Sequence, residues 1–168
     1  FQVNTTVANT QFDPVVAGGP SGAQFAVAWR TDTGDGSGDG IAYQRYNVAG
    51  APAGTELIVN EETAGGQSAP AITYLSTGQI LVTWVSVTSG SAGDGSGDGV
   101  FGRVVNTNGT FAGGEFQINQ QTASNQGEIA VSQTASGFVA VWRDDSGQDG
   151  GGSGIQARFF DSTGTAIT

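Results

Sequence analysis

The chain has no cysteine, histidine or methionine, and all five of its basic residues are arginine, so lysine is missing as well. Without cysteine there is no disulfide framework, and thiol usage says nothing about the compartment. Without histidine, cysteine or lysine the usual base-and-nucleophile pairs cannot be assembled; a glycosidase-type pair of carboxylates is what remains. Glu61-Glu62 is the one acidic pair away from the loops described below. Adjacent side chains on a strand or turn diverge, so the expectation is that the chain is not an enzyme. Positive charge is scarce too: 15 acidic residues against 5 basic ones give a net charge of −10. That balance argues against nucleic acid and anionic lipid as partners and is compatible with cations. No apolar run reaches the 18 residues of a membrane span, so no membrane insertion is expected. No secretory leader is visible and the first residue is Phe1, which reads as a processed chain or an excerpt of a longer one. A sustained helical period is absent, and 29 glycines would penalise helices heavily.

What is present is repetition. Asp35-Gly36-Ser37-Gly38-Asp39-Gly40 returns unchanged at Asp94 to Gly99, and returns degraded at Asp149 to Gly154. Each copy lies at a matching place in a unit of roughly 55–60 residues. The 168 residues form a single repeat domain, 1–168, with units at about 1–56, 57–115 and 116–168. Phe1-Gln2-Val3-Asn4 matches Leu57-Ile58-Val59-Asn60 and Phe116-Gln117-Ile118-Asn119. A glutamine stands seven residues after each of those asparagines, at Gln11, Gln67 and Gln126. Trp29, Trp84 and Trp142 close matching apolar runs, and each unit ends in an arginine-bearing strand around Arg45, Arg103 or Arg158.

Turn residues divide each unit into four short strands. The second to fourth strands of unit one are expected around Pro14 to Ala17, Phe25 to Trp29 and Ile41 to Asn47, with counterparts in units two and three. The third strand is apolar on both faces in the later copies (Leu81; Val139 with Val141), so it must be covered on both sides. Sheets stacked face to face around an axis achieve that. The fold expected is therefore all-β, with three four-stranded propeller-blade-like repeats. A three-fold β-prism or β-trefoil-like closure is the alternative. The Phe-Gln-Val-Asn strand opens the chain and the last unit stops before its own copy, so that strand is expected to complete a blade elsewhere. Closure within a longer array, within a ring of copies, or along an open filament are all compatible with it.

The loops suggest chemistry. Oxygen-bearing side chains alternate with glycines, as in a tight loop that wraps a hard cation. The candidate calcium ligands are Asp35, Ser37, Asp39 and the Ile41 carbonyl; Asp94, Ser96, Asp98 and the Val100 carbonyl; and, in the degraded loop, Asp149 and Ser153. Such loops usually add a carboxylate at position 9, where Tyr43, Gly102 and Ala157 stand instead. Asp32, and Asp144 or Asp145, are the candidate substitutes. With so few charges, affinities on the order of 10⁻⁴–10⁻³ M are expected, which suits an extracellular medium. The competing reading is an Asp/Gly/Ser turn that binds nothing.

The order Trp, Asp-Gly-Ser-Gly-x-Gly, Ile/Val, Arg, followed by Gly114-Glu115-Phe116-Gln117-Ile118-Asn119, resembles the tandem repeats of large secreted bacterial proteins of the RTX-adhesin and haemolysin-type calcium-binding kind. The Asp-x-Ser-x-Asp-Gly loops also resemble those between strands of integrin-type propeller blades. The resemblance implies a secreted or cell-surface location, an all-β repeat fold and Ca²⁺ dependence. The tryptophans are read as core rather than as a sugar platform, the arginines as partners of loop carboxylates or strand caps, and the Asn/Gln pairs as satisfying backbone groups. The function expected is a calcium-stabilised structural and adhesive module that self-associates through the offset strand. A calcium-dependent carbohydrate-binding module, with surface glycans as partners, is the alternative.

Overall fold

The computed structural model describes residues 1–87 and 93–167. They form eleven strands and no helix: β1 (Gln11–Gly18), β2 (Gln24–Thr31), β3 (Gly40–Asn47), β4 (Leu57–Ile58), β5 (Gly66–Tyr74), β6 (Ile80–Val87), β7 (Gly99–Val105), β8 (Phe116–Gln117), β9 (Gln126–Gln133), β10 (Gly137–Asp144) and β11 (Gly154–Asp161). Three antiparallel meanders result, ordered β1-β2-β3-β4, β5-β6-β7-β8 and β9-β10-β11. They are the three blade-like sheets expected from the repeat. Among the described residues no helix is long and apolar enough to cross a membrane.

The sheets stack face to face. Ala26, Ala28, Ile41 and Tyr43 of the first pack against Tyr74, Ile80, Val82 and Trp84 of the second. The other face of the second sheet, with Leu81, Val85, Val100 and Val104, packs against Phe138, Ala140, Trp142 and Phe160 of the third. Strand β6 therefore sits between two apolar layers and is buried from Ile80 to Ser86, which is why its sequence shows no polar alternation. A fully buried leucine such as Leu81 contributes about 1.5–3 kcal/mol by burial. All three tryptophans lie in the core, Trp29 at 3%, Trp84 at 1% and Trp142 at 5% exposure.

The first strand of each sheet starts earlier than the sequence suggests and carries a bulge. The register breaks between Phe12 and Val15 and between Ser68 and Ala71, and opposite β9 between Val141 and Arg143. Asp13, Ala69 and Glu128 occupy matching positions there with φ of 51°, 47° and 53°. A bulge in the left-handed region bends the strand and sharpens its twist.

The segment that opens each unit belongs to two sheets. Leu57 and Ile58 pair with Tyr43 and Ala42, and Phe116 and Gln117 with Gly102 and Phe101, so backbone pairing completes the preceding sheet. The Phe116 ring instead lies on Phe138 and Phe160 of the following sheet, 6.3 and 6.1 Å between centroids. Phe1 lies on Phe25 and Tyr46 in the same way. Among the described residues, Phe1 to Asn4 pairs with no sheet and β11 has no strand on its outer side.

Candidate functional site

The loops are best described from their asparagines. Asn60 follows β4 and is 6% exposed. Its Oδ1 accepts the Ile41 amide at 2.9 Å, and its Nδ2 donates to Asp35 Oδ2 at 2.8 Å and lies 3.1 Å from the Gln67 carboxamide. Asn119 repeats every contact: Oδ1 takes the Val100 amide at 2.9 Å, and Nδ2 reaches Asp94 Oδ2 at 2.5 Å and Gln126 at 3.0 Å. Each node thus joins the glycine-rich loop of one sheet, the linking strand, and the first strand of the next sheet. Backbone bonds reinforce it, with the Gln67 amide donating to the Asp39 carbonyl and the Gln126 amide to the Asp98 carbonyl, both 2.8 Å.

The candidate calcium ligands have other partners in this arrangement. Asp35 Oδ1 accepts the Ser37 and Gly38 amides at 3.1 and 3.2 Å, which closes the loop on itself. Asp94 Oδ1 accepts the Ser96 amide and Asp149 Oδ1 the Gly151 amide in the same manner. Asp39 is ion-paired with Arg30, whose Nε lies 2.8 Å from Oδ2. The Ile41 and Val100 carbonyls accept the Val59 and Ile118 amides at 2.8 Å. Ser37, Ser96 and Ser153 are exposed, and the Asp98 amide is held by Asn125 Oδ1 at 3.1 Å. Of the proposed substitutes, Asp145 pairs with Arg143 and Asp144 Oδ1 caps the Ser146 amide. Among the described residues no three acidic side chains gather as a metal-holding group.

The glycines of the hexapeptide have backbone reasons. Gly36 and Gly95 take φ of 93° and 95°, which favours glycine. A Cβ on Gly38 would stand 2.2 Å from the Gly65 carbonyl oxygen, and one on Gly97 2.2 Å from that of Ser124. The loop therefore abuts the turn of the next unit, and two identical copies follow from two identical approaches. In the third loop Gly152 has nothing within 4 Å.

Burial pushes the Asp94 carboxyl above its ordinary range against the pull of its Asn119 bond. Burial also acts to raise Glu56, but bonds from the hydroxyl and amide of Thr5 and the amide of Thr6 outweigh it and hold Glu56 below its usual range. Glu115 braces the next unit alike, accepting the Glu61 and Glu62 amides. Glu61 pairs with Arg103 while Glu62 folds back on the Ala64 amide, so the two neighbours diverge.

One correction concerns the arginines. Arg103 and Arg158 match, donating to the Val59 and Ile118 carbonyls at 3.0 Å. Their counterpart in the first sheet is Gln44, which with Arg103 shares the habit of bonding a carbonyl ten residues on, Gly54 or Gly113. Arg45 is one residue out of step, faces the other side of the sheet, and donates to the Thr107 carbonyl of the second unit. Successive strand residues face opposite ways, so one position changes the partner entirely.

No family model and no curated protein matches the chain. Solved structures do. An endo-arabinase from Bacteroides thetaiotaomicron VPI-5482 superposes with a TM-score of 0.59 at 13% identity, over 95% of this chain and 60% of that one. A protein of unknown function from Dyadobacter fermentans DSM 18053 gives 0.59 and 13%, over 91% of this chain and 52% of that one. The chain thus spans little more than half of each, and likeness at this identity bears on the fold alone.

Proposed function

We propose that the chain is a structural and adhesive repeat module of a secreted or cell-surface protein, built to continue head to tail with further units of its own kind. The observation that supports this is a matched trio. Ile41 and Val100 are fully buried between sheets, whereas Ile155, at the same position of the third sheet, is 76% exposed beside Phe159 at 53%. The face it lacks exists at the other end of the molecule. Val27, Trp29, Phe12 and Pro14 line a cleft of about 180 Å³ on the open side of the first sheet, matching the Val82–Trp84 face that receives Ile41. Asn4 and Gln11 are already joined there at 3.2 Å, as half of a node without its loop aspartate. A second copy presenting its third sheet would supply that loop and bury both faces. Because the two faces differ, the contact is heterologous and closes into a ring or extends as a filament.

Analytical ultracentrifugation of the chain over a range of concentrations tests this. Reversible association is expected, and Ile155→Lys should abolish it while leaving the unfolding transition of the monomer in place. A wild-type chain that stays monomeric into the millimolar range would sink the proposal. Calcium stabilises in this reading only if binding at the first loop outweighs the bonds of Asp35 to Asn60 and of Asp39 to Arg30 that it would draw away. The carbohydrate-binding alternative gains no exposed stacking platform from the tryptophans, which are buried. The endo-arabinase likeness does not extend to activity at 13% identity.

A further inference from the structure

The third sheet contains a cavity that its counterparts do not reproduce in chemistry. About 80 Å³ in volume, it lies where β10 and β11 meet the segment after Asn119, and its walls include Gln121, Trp142, Asp144, Gln148, Gln156 and Arg158. Asp144 is 2% exposed. Its Oδ1 is used by the Ser146 amide at 2.8 Å and by Gln126 Nε2 at 3.4 Å, but its buried Oδ2 has no partner among the described residues. Trp142 Nε1 is likewise buried without a protein acceptor. Leaving a buried carboxylate oxygen and an indole N–H unmatched costs on the order of 1–3 kcal/mol each, so a native structure retains them where something satisfies them.

The unmatched indole N–H recurs at Trp29 of the first sheet, but the carboxylate and the amides around it are particular to the third. Thr31 and Ser86 stand at the position of Asp144, and Ala42 and Phe101 at that of Gln156. Glu61, ion-paired with Arg103, stands where Gln120 borders the third cavity. Relative to the second unit, the third has therefore replaced an aromatic ring and the acidic member of an ion pair by amides, keeping the arginine, and a hydroxyl by a carboxylate.

We propose that this cavity is a binding site for a neutral polyhydroxy compound, one sugar residue or a small polyol. A hydroxyl both donates and accepts, so a pair of them can give a proton to Asp144 Oδ2 and take one from Trp142 Nε1, with the glutamine amides serving either role. An anion would face the buried carboxylate; a cation would face the Arg158 guanidinium, whose Nη1 is held by Ile118 O while its buried Nε is a further donor without an acceptor among the described residues. An apolar ligand would leave both buried groups unmatched. At about 30 Å³ per water, the volume is that of about two or three waters, which suits a few hydroxyls on the edge of one ring rather than an oligosaccharide chain. The site lies within a single chain, so it does not depend on head-to-tail assembly.

Saturation-transfer NMR and calorimetric titration of the chain with glycerol, a free pentose and a free hexose test this. Saturable binding in the millimolar range is expected for at least one of them. It should weaken about tenfold or more in Asp144→Asn and Trp142→Phe, and remain unchanged in Val16→Ser, on the exposed face of β1. Gln156→Ala, which breaks no described hydrogen bond, covers the case in which the Asp144 variant fails to fold and should also weaken binding. Absence of saturation by all three compounds overturns the proposal, as does undiminished binding by folded Asp144→Asn or by Gln156→Ala. Calcium binding that Asp144→Asn abolishes, with no response to any of the three compounds, would assign the cavity to a cation and overturn it equally.

Discussion

A single carboxamide at Asn60 serves three parts of the molecule, because a primary amide carries a carbonyl acceptor and two N–H donors on one short planar group. Asn60→Ala removes the acceptor for the Ile41 amide and the donor to Asp35 together, leaving buried groups unmatched. A loss of about 2–4 kcal/mol is expected in urea unfolding, and a similar loss for Asn119→Ala. Asn4→Ala, in the half-formed node, should cost less than about 1 kcal/mol. Glu56 gives a pH-dependent counterpart. Its folded-state pKa is held below the ordinary glutamate value, so its stabilisation is complete above that value and disappears as acid carries the pH through the depressed one. Glu56→Gln should therefore cost about 1 kcal/mol at neutral pH, after allowance for its partial exposure, and nothing in strong acid. Melting curves at several pH values would show the two proteins converging. The Asn and Gln positions were legible in the sequence because they repeat at fixed spacing. The Arg30–Asp39 pair was not, since which carboxylate meets an arginine depends on how the loop turns. Beside the degraded loop Asp144 has the look of a spare ligand, and only its alignment with Thr31 and Ser86 marks the interior position it holds.

At the scale of elements, the bulge of the first strand is the feature most open to test. Ala69 holds φ at 47° within β5, where a side chain costs roughly 1–2 kcal/mol that glycine avoids. Ala69→Gly should raise stability by about 0.5–1 kcal/mol in equilibrium unfolding, the reverse of the usual effect of glycine in a strand. An unchanged or lowered value would mean that the surrounding pairing, not the residue, sets the backbone there. The existence and order of the strands could be read from the apolar runs and the turn residues between them. Their inner ends could not: Gln11, Gly66 and Gln126 look like loop residues, and the bulge that lets pairing resume past them leaves no periodic trace. The mismatch of Arg45 with Arg103 and Arg158 is hidden for a related reason, since charge is visible in a sequence but parity against a partner strand is not.

For the molecule as a whole, the calcium expectation becomes a measurement of linkage. An ion that binds only the folded chain with a millimolar dissociation constant adds about 1.4 kcal/mol per site at tenfold excess, which for this size raises Tm by a few degrees. The expected result is such a rise in 10 mM calcium over EDTA, lost when Asp35 and Asp94 are both replaced by Asn. Superimposable melts would leave the loops as hydrogen-bonded braces and nothing more. The linking segments carry a further consequence, which concerns heredity. Since the two internal ones, at Leu57 and Phe116, pair with the sheet behind them and lead into the sheet ahead, the boundary between units has no privileged position. A recombination event that deletes or duplicates one whole period, wherever its breakpoints fall, rejoins a loop to the asparagine and glutamine it requires. Gain or loss of one whole unit is therefore expected to leave the remaining interfaces between sheets intact.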